Sequence, residues 1–231
     1  NPTALALTPY PAPSFEDTMT DTLRGADIVT RTLERAGVRT IFTLSGNHIM
    51  PLFDAAIEPK LDLIHVRHEA AAVHMADAFG RLTGTCGVAM VTGGPGHANA
   101  VGALYTAQVA DSPVLLLSGH AGLGELGRGG FQEMRQAEMA APVTKESWTA
   151  RSVTTLGPDI AEAIRIATTG RPGPVHLGLP FDLLEARVPG SPELIPPASA
   201  FAPATNALEP IVADTILATL AEAKRPLILA G

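Results

Sequence analysis

Two short apolar runs, Cys86–Val91 and Val114–Leu117, constrain the fold of this chain more than any other feature. Apart from the thiol of Cys86, neither run contains a charged or polar side chain. A strand can be this apolar when both of its faces are covered, as in a parallel sheet with helices on either side. We therefore predict an α/β fold: a doubly wound parallel sheet with helices on both faces.

Helical and extended patterns alternate around these runs. Ile28, Val29 and Leu33 recur at helical spacing ahead of Gly37, and the segment that follows is β-branched and extended. The same alternation predicts further helices and strands along the chain. The predicted helices are 25–36, 51–57, 69–82, 97–109, 158–168 and 211–223. The predicted strands are 38–44, 61–66, 86–91, 113–118, 174–179 and 225–231.

Composition divides the chain into four parts. Residues 1–22 are rich in Pro and Thr and lack the basic start and apolar centre of a signal peptide, so we expect an irregular arm. Residues 23–188 should form the sheet domain, and residues 189–210, rich in Pro, Ala and Ser, a linker. Residues 211–231 are typical of the beginning of a central α/β domain, incomplete because a lone strand cannot satisfy its backbone. We expect the chain to be a fragment, or its continuation to be a separate chain.

Net charge and cysteine content limit which binding partners and which cellular compartment are expected. The net charge is −7 and no Lys/Arg cluster occurs, which disfavours nucleic acid and anionic membranes as partners. Residues 82–110 carry no charge, but Gly93–Gly96 and Asn99 interrupt them, so we expect a buried strand, loop and helix rather than a membrane span. The single cysteine, Cys86, fits a buried structural thiol in a reducing cytoplasm better than a reactive one.

Ligands of doubly wound sheets bind beyond the carboxyl ends of the strands, so the segments after the strands are the candidate sites. Glu69 follows strand 61–66 and falls in the first turn of the next helix. On its own, it is better explained as a carboxylate that the helix dipole favours.

A glycine-rich loop, Thr92–Gly96, follows strand 86–91 and precedes a helix that contains Asn99. Its glycines allow a close backbone approach to a flat ligand, and the helix start offers free amides. The loop matches neither the dinucleotide GxGxxG nor the phosphate-binding GxxxxGK[ST] pattern. A plain tight turn would explain it as well.

His48 ends a short loop after strand 38–44, where it could cap the following helix. Beyond strand 113–118 lie two glycine-rich stretches, Ser118–Gly124 and Gly129–Met134, which form either a surface loop or a lid.

Metal and hydrolase chemistry are disfavoured. His65, His68 and His74 stand near Glu69, but neither HExxH nor paired cysteines occur, so we predict no metal site in this chain. No GxSxG elbow surrounds any serine.

Several short motifs occur in an order that resembles one family. They are Gly25–Ile28, Gly46, Arg67–Glu69, Val91–Asn99, Phe131–Glu133, Pro142–Lys145 and Gly170–Pro174. This constellation, over residues 23–188, resembles the first, pyrimidine-binding domain of thiamine-diphosphate-dependent enzymes of the acetolactate synthase and benzaldehyde lyase kind.

The resemblance implies a mechanism centred on Glu69. Its carboxylate would hydrogen-bond N1′ of the cofactor's aminopyrimidine and favour the imino tautomer, which removes the proton from C2 of the thiazolium. The cofactor then serves as electron sink while a carbon–carbon bond forms or breaks. Such a carboxylate is best shielded from water. The remaining cofactor-binding residues implied are Gly46, Thr92, Gly93, Gly94, Pro95, Gly96, Asn99 and Arg171.

The resemblance also implies residues that handle the substrate. Gln132 and His48 join Glu69 as catalytic candidates, and Phe131 and Asn47 would line the substrate pocket. His48 matches an active-site histidine of benzaldehyde lyase, whereas acetolactate synthases have Gly or Ala nearby. Arg171 matches a contact to FAD in acetolactate synthases, although a tight turn explains it as well.

The implied cofactor is thiamine diphosphate with Mg²⁺, and FAD is a further candidate. No GDG…N motif occurs, so the diphosphate and Mg²⁺ would be held by a domain not in this chain. In the family the active site lies between two subunits, which implies a homodimer or homotetramer, with the remaining domains of the same enzyme as partners.

Three functions are therefore in competition. The first is a carbon–carbon bond forming or cleaving enzyme acting on 2-keto acids, similar to acetolactate synthase. The second is a carboligase or lyase acting on 2-hydroxy ketones, similar to benzaldehyde lyase. The third is a non-catalytic α/β domain that serves assembly or regulation.

Overall fold

A computed structural model describes residues 22–204 and 207–229 of the chain. The predicted N-terminal arm, residues 1–22, lies outside the described residues except for Thr22. The strands are β1 (Thr22–Arg24), β2 (Thr40–Thr43), β3 (Asp62–His65), β4 (Gly87–Val91), β5 (Val114–His120), β6 (Glu146–Thr149), β7 (Val175–Pro180) and β8 (Arg187–Pro189). The helices are α1 (Gly25–Arg35), α2 (Met50–Ala55), α3 (Glu69–Thr83), α4 (Pro95–Val109), α5 (Gln136–Ala140), α6 (Leu156–Thr168), α7 (Phe181–Glu185) and α8 (Pro210–Glu222).

The predicted doubly wound parallel sheet is confirmed. Six strands pair in the order β3-β2-β4-β5-β7-β6, and every pair is parallel. Because consecutive side chains of a strand point to opposite faces, the apolar runs supply two cores. Val88 and Met90 of β4 join the core cluster that includes α1, α2 and α6, whereas Ala89 and Val91 join the cluster that includes α3 and α4. Helices therefore cover both faces of the sheet.

Burial explains why β5 tolerates no polar residue in its first half. Leu115 and Leu117 face one core, and Val114 and Leu116 face the other, each fully buried. Each such side chain contributes about 1.5–3 kcal/mol relative to an exposed one. Cys86, just ahead of β4, is also buried, and burial raises the pKa of its thiol to about 12. The thiol therefore stays protonated, in agreement with a structural role.

Two short elements close the sheet domain on itself. β1 pairs antiparallel with β8, with Leu23 opposite Val188. Next to this ladder, the Gly25 amide donates to the Ala186 carbonyl at 2.9 Å. The first and the last strand of the sheet domain, β1 and β8, thus form a separate two-stranded ladder.

The segment predicted as a linker, 189–210, is partly packed. Two 3-10 helices, Pro192–Leu194 and Ala198–Phe201, lie against the α6 side of the domain and bury Leu194 and Phe201 in its core. α8 follows, with no buried residue. Residues 225–229, predicted as a strand, pair with no other strand in the part of the chain described, because no neighbouring strand is present to receive their backbone hydrogen bonds.

One expectation about α4 is wrong. The uncharged stretch 82–110 was expected to be wholly buried, but Tyr105 and Val109 are each 58% exposed. Only one side of α4 faces the sheet, and the other side reaches the surface of this chain without a charged residue. Within residues 22–204 and 207–229, no helix has the length and apolarity needed to cross a membrane.

Candidate active site

Four of the predicted loops meet at the carboxyl edge of the sheet. They follow β3, β2, β4 and β5, which are consecutive neighbours in the sheet. This edge is where doubly wound sheets place their ligands. Most of the predicted site residues are connected there through direct contacts.

Glu69 is the first residue of α3, as predicted. His68 caps this helix, since its Nδ1 accepts the Ala70 amide at 3.1 Å. The Glu69 carboxylate is oriented by Asn99 of α4, whose Nδ2 donates to Glu69 Oε2 at 3.1 Å. Its other oxygen, Oε1, faces the glycine-rich turn, because a Cβ built on Gly96 would lie 3.4 Å from it. Glu69 is half-buried in this chain rather than shielded from water.

The glycine loop after β4 requires its glycines. Gly94 has φ +57° and ψ −115°, a conformation that L-residues rarely adopt. A Cβ on Gly94 would also approach the Gln132 Cβ and carbonyl oxygen to 2.7 Å. A Cβ on Gly96 would meet Thr92 Cγ2 at 2.7 Å. The backbone thus leaves no room for side chains here, and Pro95 begins α4 directly afterwards.

A buried glutamine holds this loop in place. Gln136, at the start of α5, accepts the Gly94 amide through Oε1 at 2.9 Å. Its Nε2 donates to the Gly119 carbonyl of β5 at 3.0 Å. The loop after β4 is therefore tied to the neighbouring strand by one side chain that is 1% exposed.

His48 connects the loop after β2 to this site instead of capping a helix. Its Nε2 lies 3.1 Å from the Phe131 carbonyl, which can only accept, so Nε2 carries the proton. Nδ1 is then free to accept from the Thr92 hydroxyl at 3.3 Å. The imidazole also stacks on the Phe131 ring at a centroid distance of 5.7 Å. Burial lowers the pKa of His48, which favours this neutral form.

Gln132 stands against Gly94 with an unusual backbone, φ +53°. Its Oε1 is buried and has no hydrogen-bond partner among the described residues. A buried acceptor without a partner is costly, so this atom marks a place where a ligand or water donor would be favourable.

The remaining predicted residues differ in position. Gly46 lies against Thr92, since a Cβ on it would come 2.4 Å from Thr92 Cβ. Asn47 is exposed in the 3-10 helix beside His48. Arg171 is not with the others: it precedes β7 at the amino edge of the sheet, where its Nε donates to Asp111 at 2.5 Å.

A second layer of polar residues beneath the glycine loop was missed. His97 Nδ1 lies 2.8 Å from Ser118 Oγ, and the His97 and His176 rings approach to 4.5 Å between centroids. His97, Ser118 and His176 are fully buried. No signal in the sequence pointed to this layer, because His97 lies in a helix that also carries Asn99 and Gln108, and Gln136 matches no motif.

These features fit the aminopyrimidine ring of thiamine diphosphate. The Glu69 carboxylate, which Asn99 orients, lies against Gly96, and Gln132, whose amide oxygen has no partner among the described residues, lies against Gly94 of the same loop. Over the described ranges, no group of three or more His, Cys, Asp or Glu side chains could hold a metal ion.

Comparisons with known proteins agree with this assignment. The family model described as "Thiamine pyrophosphate enzyme, N-terminal TPP binding domain" matches residues 23–139. The chain is 36% identical over 212 residues to a probable acetolactate synthase large subunit of Methanocaldococcus jannaschii, covering 90% of this chain and 36% of that protein.

The 2-hydroxyacyl-CoA lyases 2 of vertebrates are similar as well. That of Mus musculus is 44% identical over 172 residues, covering 74% of this chain and 27% of the relative. That of Danio rerio is 42% identical over 160 residues, covering 69% of this chain and 26% of the relative. The chain thus spans only about a quarter to a third of the length of these curated relatives.

Proposed function

The chain belongs to the thiamine pyrophosphate enzymes, whose N-terminal domain it contains, and we propose that it supplies the cofactor-activating half of an enzyme that forms or cleaves carbon–carbon bonds of 2-keto acids. The observation that carries the proposal is the Glu69 carboxylate, which Asn99 orients against the glycine turn at Gly96.

Thiamine diphosphate, when bound, supplies a nucleophilic carbon and an electron sink. The residues of this chain bind and orient its aminopyrimidine. Glu69 holds a proton at ring N1′, and Asn99 fixes the carboxylate so that Oε1 remains available for it. Gly93, Gly94 and Gly96 shape this side of the site, because the loop packs so closely on Gly119, Gln132 and Thr92 that a side chain at any of the three positions would not fit.

Gln132 and His48 act on the substrate side. The unpartnered Oε1 of Gln132 accepts a hydrogen bond from the bound molecules. His48 stays neutral and positions Phe131 and the backbone next to Gln132 through its contact to the Phe131 carbonyl. Its two ring nitrogens are both engaged, so it can donate to a substrate only after releasing that carbonyl.

A 2-hydroxy ketone carboligase or lyase is the second candidate, and His48 favours it. The relatives are named for both kinds of chemistry: acetolactate synthases, and lyases of 2-hydroxyacyl-CoA. A non-catalytic assembly domain is the weakest alternative, since it would need neither the glycine-only conformation at Gly94 nor the unpartnered oxygen of Gln132.

The central claim is tested by Glu69→Gln in the full-length protein. We expect turnover to fall by about two to four orders of magnitude, the usual contribution of a positioned proton carrier. Turnover is measured with thiamine diphosphate and Mg²⁺ present, using pyruvate and a benzoin-type hydroxy ketone as alternative substrates. Formation of acetolactate assigns the synthase activity, and cleavage of the hydroxy ketone assigns the lyase activity.

Glu58→Gln is the matched control, because this exposed carboxylate follows α2 and pairs with Arg31 at the surface. It should leave turnover unchanged. Equal activity of the Glu69→Gln protein and the wild type would remove the proposal.

The partners and cofactors outside this chain are part of the same proposal. Mg²⁺ and the diphosphate need ligands from the remaining domains of the enzyme. FAD contact at Arg171 would occur at the amino edge of the sheet, away from Glu69. We also propose a homo-oligomer, dimer or tetramer, and a cytoplasmic location, the latter supported by the single buried thiol of Cys86.

A further inference from the structure

Glu133, the last residue of the Phe131–Glu133 motif, has no role in the chemistry proposed for Glu69 and Gln132. Its side chain is nevertheless fully engaged, because both carboxylate oxygens accept backbone amides. Oε1 accepts the Gly127 amide at 2.6 Å. Oε2 accepts the amides of Gly129 at 3.1 Å and of Gly130 at 3.0 Å. The glycine-rich segment after β5 is thus folded around this one carboxylate.

The backbone of this segment is shaped to receive an anion. Gly127 and Gly129 both have φ +76°, on either side of Arg128. Left-handed residues of this kind turn neighbouring amides towards one point, as in the backbone concavities that bind anions. The hydrogen bond from the Gly127 amide lowers the pKa of Glu133, so the carboxylate is ionised at neutral pH. The chain therefore fills the concavity with its own charge.

The same residue closes a turn, Gly130–Glu133. The Glu133 amide donates to the Gly130 carbonyl at 3.0 Å, and its side chain accepts the Gly130 amide in return. Gln132, the third residue of this turn, has φ +53°, which a turn usually obtains from glycine. A glutamine in this conformation is strained unless its surroundings hold it there. The two hydrogen bonds between Gly130 and Glu133 provide such a hold.

The Gly130–Glu133 turn carries two contacts of the candidate active site. The Phe131 carbonyl lies 3.1 Å from His48 Nε2. Gln132 packs against Gly94, and its Oε1 is buried without a partner among the described residues. If the turn relaxed, the backbone of both residues would move, and the Gln132 oxygen would leave the place beside the glycine loop.

We propose that Glu133 is a positioning residue, whose ionised carboxylate organises the segment Gly127–Gly130 and thereby holds the Gly130–Glu133 turn against the glycine loop. Glu133 acts through Gln132 and does not touch the substrate itself. The inference rests on the proposed function, in which Gln132 faces the substrate, and it adds the residue that fixes the orientation of Gln132.

Hydrogen exchange followed by mass spectrometry tests the structural step without turnover. In the full-length protein, we expect the peptide that contains residues 127–133 to exchange about tenfold faster or more after Glu133→Gln. The reason is that the single amide oxygen of glutamine cannot accept three N–H groups, and its NH₂ group would face one of them. Exchange at the wild-type rate would overturn the inference.

Glu138→Gln is the matched control for this measurement. Glu138 is an exposed carboxylate of the neighbouring helix α5, and it pairs with Arg135 at 3.0 Å. Its substitution should leave exchange of the 127–133 peptide unchanged. Glu133→Asp keeps the charge on a shorter side chain that reaches fewer amides, so it should fall between Glu133→Gln and the wild type.

A double-mutant cycle tests whether Glu133 acts through Gln132. We expect Glu133→Gln to lower kcat/KM of the full-length enzyme by about tenfold or more, because the competent turn becomes a minor conformation. Glu133→Asp should recover part of this loss. In a Gln132→Ala background, Glu133→Gln should change kcat/KM by less than about threefold, since the group that it positions is already absent.

The outcomes separate this inference from the proposed function. Equal losses from Glu133→Gln in both backgrounds, or full activity despite faster exchange, would overturn the positioning role and leave the role of Glu69 untouched. An active Glu69→Gln protein would overturn the proposed function instead, whatever the exchange of the 127–133 peptide.

Discussion

Among single residues, Gly94 is the one whose backbone conformation the candidate site requires to be glycine. We predict that Gly94→Ala lowers the free energy of unfolding by about 1–3 kcal/mol from backbone strain alone, with a further loss from the contact to Gln132. The measurement is denaturant unfolding of the full-length protein. Gly124→Ala is the control, because nothing lies within 4 Å of its added Cβ and its φ is ordinary, so a change within about 0.5 kcal/mol is expected. Equal stability of the two variants would show that an alanine at position 94 is not strained.

Single residues also show where sequence reasoning stops. Glu69, Asn99 and the glycine loop could be predicted, because a family resemblance links residues far apart in sequence. Gln136 and His97 could not, since their partners are backbone atoms of Gly94 and Gly119 and the hydroxyl of Ser118. Such contacts depend on the three-dimensional approach of loops, which leaves no pattern along the chain.

At the scale of elements, the buried strands could be predicted from the sequence, whereas the edge strand β6 could not. β4 and β5 are buried on both faces, so their continuous apolar runs are visible in the sequence. β6 pairs on one side only, with β7, and reads Glu-Ser-Trp-Thr, without the alternation or apolarity of a covered strand. β5 also extends to His120, two residues beyond the predicted end, because β7 continues to pair with it there.

The uncharged outer side of α4 has its own consequence. Together with the neighbouring α3, it exposes Met75, Leu82, Tyr105 and Val109, an apolar surface that suits contact with a second copy of the chain. We predict that Tyr105→Glu shifts the full-length protein to smaller assemblies in light-scattering chromatography. Ile57→Glu, which changes an even more exposed apolar residue just after α2 on the other side of the sheet, should not. If the Tyr105→Glu protein assembles as the wild type does, this face of α3 and α4 is not the interface.

For the molecule as a whole, buried histidines set the acid limit of stability. Burial lowers the pKa of His97 to about 4, and that of His176 falls well below its usual value for the same reason. The unfolded chain takes up these protons from about pH 6.5 downward, so stability is complete above that pH and is lost as the pH falls towards 4. His97 alone accounts for about 3 kcal/mol of this loss.

We therefore predict that His97→Gln flattens the decline in the free energy of unfolding between pH 6.5 and pH 4, measured by urea unfolding at several pH values. His74→Gln, which changes an exposed histidine, should keep the wild-type slope. A slope unaffected by His97→Gln would show that this histidine is not held neutral by burial.

The packing of the segment after β8 determines how this domain would bear mechanical load. Pro189 pairs with Thr22 at the end of the β1–β8 ladder, but the chain then returns to the core, where Leu194 and Phe201 are buried beside α6. A pull on the chain beyond Phe201 would therefore have to detach these two side chains before it reached the ladder. They lie on the opposite face of the sheet from the core that includes α3, the helix that begins with Glu69.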